Sequence, residues 1–173
     1  MQLLLGLARV IDSVNTFIGR AASWLVLAAI LVSAGNAVSR KFFSLSSNAW
    51  LELQWYLFGA VFMFGAAWTL LRNEHIRIDI VTSSLSKRTC DRIDVFGHIF
   101  FLIPFVLVLL YTATPYLISS INSWERSNNT GGLVIWPAKF VIVAGFVLLL
   151  LQAVSELIKR LAILRGTISD DRA

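Results

Sequence analysis

Charge is scarce in this sequence: 14% of its 173 residues are Asp, Glu, Lys or Arg, against 57% hydrophobic residues. A soluble domain of that length needs far more charge to cover its surface, so the composition excludes the soluble classes. The mean hydropathy of +0.75 points the same way. Cysteine is nearly missing; Cys90 stands by itself and excludes an internal disulfide framework. Only two histidines occur, His75 and His98. There is no HExxH, GxSxG, P-loop or Cys/His metal cluster, so the sequence offers no catalytic centre and calls for no cofactor. The net charge of +5 invites a nucleic-acid reading. The basic residues, however, sit in short clusters between apolar runs, as orientation signals do, and form no single polar face.

What the sequence does have is four apolar runs, each long enough to cross a bilayer. The first, 21–39, lies uncharged between Arg20 and Arg40. The second, 53–71, lies between Glu52 and Arg72. The third, about 95–118, follows Asp94, and its uncharged tail from Ser119 to Trp124 reads as loop. The fourth, about 136–157, opens at Trp136-Pro137, where proline suits a first helical turn. Lys139 is close enough to that boundary to snorkel. The expected fold is an all-α membrane protein: one membrane domain, 1–173, with four transmembrane helices. Residues 1–20 add an amphipathic helix, with Leu3, Leu7, Val10, Ile11, Val14, Phe17 and Ile18 on one side. Gln2, Arg9, Asp12, Asn15 and Thr16 take the other. Such a helix lies on the membrane or leads into the first span; a plain extension of that span is the alternative. The stretch has no basic segment ahead of its leucines and does not read as a signal peptide.

With the N-terminus inside, the cytoplasmic segments hold Arg9, Arg20, Arg72, Arg77, Lys87, Arg88, Arg92, Lys159, Arg160, Arg165 and Arg172. The outer segments hold Arg40, Lys41, Arg126 and Lys139. That bias of eleven to four puts both termini in the cytoplasm. Trp50, Tyr116, Trp124 and Trp136 then form an outer aromatic belt, and Trp24 and Trp68 an inner one.

Helices in lipid meet through small residues and a few polar contacts. Ala29, Ser33 and Ala37 make such a stripe in the first span, with Asn36 beside it. In the second, Glu52, Gly59 and Ala66 recur every seven residues and share a face. A carboxylate at membrane depth is costly unless paired or wet, so Glu52 is either a functional group or the marker of the outer water boundary. Pro104 and Pro115 can kink the third span, where Thr112 and Thr114 are able to bond back to the backbone. Glu156 and Arg160 are expected to form an i,i+4 pair at the inner end of the last span, worth roughly a few tenths of a kcal/mol.

The segment from Arg72 to Ile80 is dense in both charge signs. Ile76, Ile78 and Ile80 alternate with Arg77 and Asp79, which suits an extended segment pressed on a membrane or a partner; a solvated turn is the plainer reading. His75 and His98 fall at the inner ends of the second and third spans. If they faced one another they could ligate a haem, making the chain a membrane anchor of a respiratory enzyme. A stand-alone homo-oligomeric exporter is a third class, but it expects a charge at mid-membrane and none is present.

The string Asn73-Glu74-His75-Ile76-Arg77-Ile78-Asp79 follows a span that begins with Trp50-Leu51-Glu52 and Tyr56-Leu57-Phe58. With the segment Gly131-Gly132-Leu133-Val134-Ile135-Trp136-Pro137-Ala138-Lys139, it resembles the small membrane subunit of tripartite ATP-independent periplasmic (TRAP) transporters, the DctQ-like family. The resemblance covers nearly the whole chain. Ser86 stands where many members have proline, a loop detail. The resemblance implies a multi-pass protein of the bacterial inner membrane that partners a large multispan subunit carrying the substrate and sodium sites. It further implies a periplasmic substrate-binding protein that delivers an organic acid. The small subunit would steady the fixed scaffold. On that view Glu52, Gly59 and Ala66 meet the large subunit or adjacent spans. Arg72, Glu74, His75, Arg77 and Asp79 pin the inner loop to the large subunit or to membrane lipids. Trp124, Glu125, Arg126 and Asn129 in the outer loop face the periplasmic protein or simply solvent.

Overall fold

The computed structural model describes residues 1–44, 47–73 and 85–167. Five α-helices account for most of them: α1 (Gln2–Phe43), α2 (Asn48–Arg72), α3 (Lys87–Gly97), α4 (Ile103–Asn122) and α5 (Trp136–Leu164). A π-helical turn, His98–Leu102, joins α3 to α4, so Lys87–Asn122 is one continuous span. Four helices are therefore long and apolar enough to cross a membrane, and the chain is a multi-pass membrane protein.

Residues 2–20 are helical and run without a break into the first span. At 1.5 Å per residue, the 42 residues of α1 reach about 60 Å, roughly twice the thickness of a hydrocarbon core. The segment is two-sided, but Asp12 and Asn15 of its polar side turn to α5 while Gln2 and Arg9 stay exposed, and Ile11 of its apolar side is buried. Asn15 is buried against α5, whereas Leu3, Leu7, Val10 and Phe17 are exposed. Ala8, Asn15, Ala22 and Ala29 recur every seven residues and are all buried. Small side chains at that period let a long helix lie close to its neighbours. Of the expected stripe, Ala29 belongs to this seam, Ser33 is half-buried and Ala37 exposed.

α1, α2 and α5 pack on one another, and α4 rests chiefly on α5. The result is an open layer with α4 at its side. Close approach of α2 and α5 depends on Gly145, where an added Cβ would sit 2.7 Å from Met63 Cβ and 3.0 Å from its carbonyl oxygen. Pro115 lies inside α4, and Pro104 in its first turn. Thr112 and Thr114 bond back to Val108 and Leu110 carbonyls at 3.1 and 2.7 Å, as their positions predict.

Candidate functional site

The polar side chains of the described residues gather in two clusters, one at each end of the helix layer. At the end opposite the N-terminus, residues 123–135 form a compact hairpin between α4 and α5. Arg126 and Val134 make an antiparallel bridge, and Ser127 N donates to Leu133 O at 2.9 Å. Gly131 adopts φ +73°, which closes the turn in a conformation that side chains strain.

α2 grips this hairpin along one face. Asn48, Glu52 and Tyr56 are four residues apart and so line one stripe. Asn48 Nδ2 donates to Thr130 O at 3.0 Å, and Tyr56 Oη to Val134 O at 3.4 Å. Between them the Glu52 carboxylate accepts from Ser127 Oγ, from Asn129 Nδ2 at 2.8 Å and from Leu133 N at 2.6 Å. A carboxylate with two oxygens and several lone pairs is the one side chain that can hold three such donors at once. Gly132 makes the fit possible. A Cβ there would stand 2.6 Å from Ser127 Cβ and 2.8 Å from Glu52 Oε1, so any other residue evicts the carboxylate.

The start of the hairpin is tied separately to α5. Lys139 Nζ donates to Glu125 Oε2 and lies 3.4 Å from the ring centre of Tyr116 on α4. Glu125 N donates to Ser120 O, and Ile135 N to Glu125 O, at 3.1 and 2.9 Å. The hydrogen bond from Lys139 is the main reason that the Glu125 carboxyl titrates below the ordinary carboxylate range; a hydroxyl bond from Ser120 adds to it.

At the other end, α1 and α5 share a network of side chains. Asp12 accepts from Gln152 Nε2 at 2.9 Å, from Ser155 Oγ at 2.7 Å and from Lys159 Nζ at 2.9 Å. Asn15 Nδ2 donates to Gln152 Oε1 at 2.7 Å, deep in the helix contact. Glu156 accepts from both Lys159 and Gln152. Arg160 reaches away from the network to Asp91 and Asp94 on α3, at 2.5 and 3.1 Å. It thereby fixes the foot of the third span to the last one.

The residues singled out by sequence part company in this geometry. Glu52 is bound by the chain's own hairpin, residues 123–135. Gly59 is exposed, and a Cβ on it would meet nothing within 4 Å. Ala66 is half-buried and faces α1 across a groove. In the hairpin, Glu125 and Asn129 are committed to Lys139 and Glu52, while Trp124 and Arg126 are exposed. Arg72 is exposed, its guanidinium 5.8 Å from the Trp68 ring centre. Glu74, His75, Arg77 and Asp79 lie outside the described residues. His98 opens the π turn and its Nδ1 bonds to Asp94 O at 2.7 Å; His75, the other half of the haem reading, lies outside the described residues.

Sequence reasoning missed Asp12, Asn15, Gln152 and Lys159. The signal available was Gln152, a strong hydrogen-bonding group near the inner end of an apolar run and in need of a partner. Of the three stretches that carry the family resemblance, those around Glu52 and around Gly131-Gly132 are the two halves of one contact, and the string after Asn73 lies outside the described residues.

A profile of the family described as "Tripartite ATP-independent periplasmic transporters, DctQ component" matches residues 29–163. Neither the curated proteins nor the solved structures contain a match. The matched stretch begins in the middle of α1, ends one residue before the end of α5, and contains the whole of the hairpin and its carboxylate grip. The chain belongs to the DctQ family of TRAP-transporter membrane components.

Proposed function

We propose that this chain is the fixed, scaffolding subunit of a sodium-coupled transporter in the bacterial inner membrane, with both termini in the cytoplasm. A large multispan subunit carries the substrate and sodium sites. A periplasmic binding protein delivers an organic acid to its outer face. The basic residues clustered at the end that holds Arg20, Arg72 and Arg160 support the orientation. On that orientation the hairpin 123–135 lies in the periplasm, with Trp124 and Arg126 available to a docked protein.

The observation that carries the reading is where the charge is spent. The charged groups of the two clusters are held at the helix ends, by ion pairs or, for Glu52, by neutral donors of the hairpin, and the runs 21–39, 53–71, 95–118 and 140–155 hold no Asp, Glu, Lys or Arg. A chain built this way is stiff at both ends and apolar between, which suits a support for a moving partner. The open layer, with α4 at its side, leaves wide apolar faces to share with that partner.

The test is detergent extraction of the chain tagged at its C-terminus, followed by identification of what copurifies. One large, many-span subunit in equal amount supports the proposal; recovery of the chain by itself overturns it. Glu52→Gln refines the result. An amide keeps one acceptor oxygen but turns an NH2 toward donors, so the hairpin loosens. Trypsin should then cut after Arg126 severalfold faster, and recovery of the complex should fall. Unchanged cleavage would remove Glu52 from the hairpin's support.

A further inference from the structure

Beside the contact of Trp68 with Gly19, toward the end that carries Arg20 and Arg72, α1 and α2 flank an open groove of about 540 Å³. Gly19, Ala22 and Val26 form one wall, and Phe62, Gly65 and Thr69 the other. The groove exists because small residues oppose each other there; a Cβ on Gly65 would meet nothing within 4 Å. Its hydroxyls are turned to their own backbones. Ser23 Oγ donates to Arg20 O at 2.7 Å and Thr69 Oγ1 to Gly65 O at 2.8 Å. What remains is an apolar slot on a membrane-facing surface.

One end of the slot is charged. Arg20 lies one turn beyond Ser23 on α1, and Arg72 one turn beyond Thr69 on α2. The helices are antiparallel, so both positions fall at the same end. Both arginines are exposed and neither has a carboxylate partner among the described residues. The Arg72 guanidinium sits 5.8 Å from the Trp68 ring centre, and Trp68 abuts Gly19, where an added Cβ would be 2.5 Å from the indole. The α2 cation is thus set toward α1.

An apolar slot with an exposed arginine one helical turn beyond each of its walls has the charge pattern of an anionic lipid, in reverse. We propose that the groove holds an acyl chain of an anionic phospholipid whose phosphate lies between Arg20 and Arg72. Guanidinium forks suit phosphate oxygens, and the surface position lets the headgroup stay hydrated. The lipid would fill the space between α1 and α2 that no side chain of the described residues occupies.

The test is native mass spectrometry of the purified full-length chain titrated with phosphatidylglycerol, or with phosphatidylcholine of the same acyl length. The wild type should retain phosphatidylglycerol roughly tenfold better, as two surface cations allow. R20Q/R72Q should reduce that preference to parity, and Gly65→Leu, which fills open space, should reduce retention of both lipids. R9Q/R165Q, altering cations away from the groove, should behave as wild type. A preference untouched by R20Q/R72Q, or retention untouched by Gly65→Leu, overturns the proposal. Competition by soluble glycerol phosphate as effective as by the lipid would also overturn it, since the chain would then contribute nothing. The same titration on the copurified complex covers the other occupant: phosphatidylglycerol held by the isolated chain but displaced in the complex assigns the groove to the large subunit.

Discussion

The two ends of this protein solve different problems with the same kind of bond. At the hairpin end, the outer one on the proposed orientation, a single carboxylate collects a loop: Glu52 holds Ser127, Asn129 and the Leu133 N–H, so irregular backbone keeps its donors satisfied. At the inner end no loop is involved. Asp12, Asn15, Gln152, Ser155 and Lys159 all lie on helices and fix how α1 lies along α5. Two apolar helices gain little in lipid from choosing each other over the acyl chains, so polar contacts and small-residue seams set their register. The outer cluster shapes a surface, and the inner one sets an alignment.

That contrast can be broken by substitution. The largest effect is expected inside, at Arg160, which is nine-tenths buried with its side chain on Asp91 and Asp94. Arg160→Met takes the guanidinium away from the buried Asp91 carboxylate and should cost about 3 kcal/mol, read as a lower thermal midpoint in detergent. A shift no larger than that of a surface substitution would show that the pair does not anchor the third span. Next is Gly132→Val at the outer end, where the new side chain collides with Ser127 and Glu52. About 1–3 kcal/mol of overpacking is expected, together with faster cleavage after Arg126. If cleavage stayed at the wild-type rate, the hairpin would not depend on the close approach at Gly132.

Smaller effects sharpen the comparison. A double-mutant cycle of Asn15→Leu and Gln152→Leu should return a coupling of about 0.6–1.7 kcal/mol, the range for side-chain hydrogen bonds within membranes. Additive single effects would mean that the seam of small residues aligns α1 without help. The smallest is a pH effect confined to the outer end. The folded-state pKa of Glu125 is depressed, chiefly by the Lys139 hydrogen bond, so its contribution is present above the ordinary carboxylate value of 4.5 and is lost as pH falls through the lower folded value. The stability difference between wild type and Glu125→Gln should therefore shrink in that acidic window. A difference that held constant to pH 3 would separate Glu125 from the hairpin's stability.

Much of this was legible beforehand, for reasons particular residues make plain. The spans could be read because lipid demands long uncharged runs, and 21–39 or 53–71 satisfy nothing else. Glu52 drew notice because a carboxylate at the edge of such a run is anomalous. Its partners were hidden, lying 75 to 81 residues further on. Asn15 and Asp12 were assigned to the outward polar face of an amphipathic helix, which is correct for a helix that meets water. Here the same two residues turn to α5 while Leu3 and Phe17 are exposed. Periodicity identified the two faces but not which solvent each would meet.

The sequence by itself determined the number of spans, the charge bias and the family, because those depend on composition and local order. Tertiary structure alone decided that Asn48, Glu52 and Tyr56 close on Gly131-Gly132-Leu133, that Arg160 crosses to α3, and that α1 and α2 flank a groove. The physical reason is that one helix face looks much like another in an apolar run. Only the approach of distant backbones tells which carboxylate meets a donor and which small residue meets empty space.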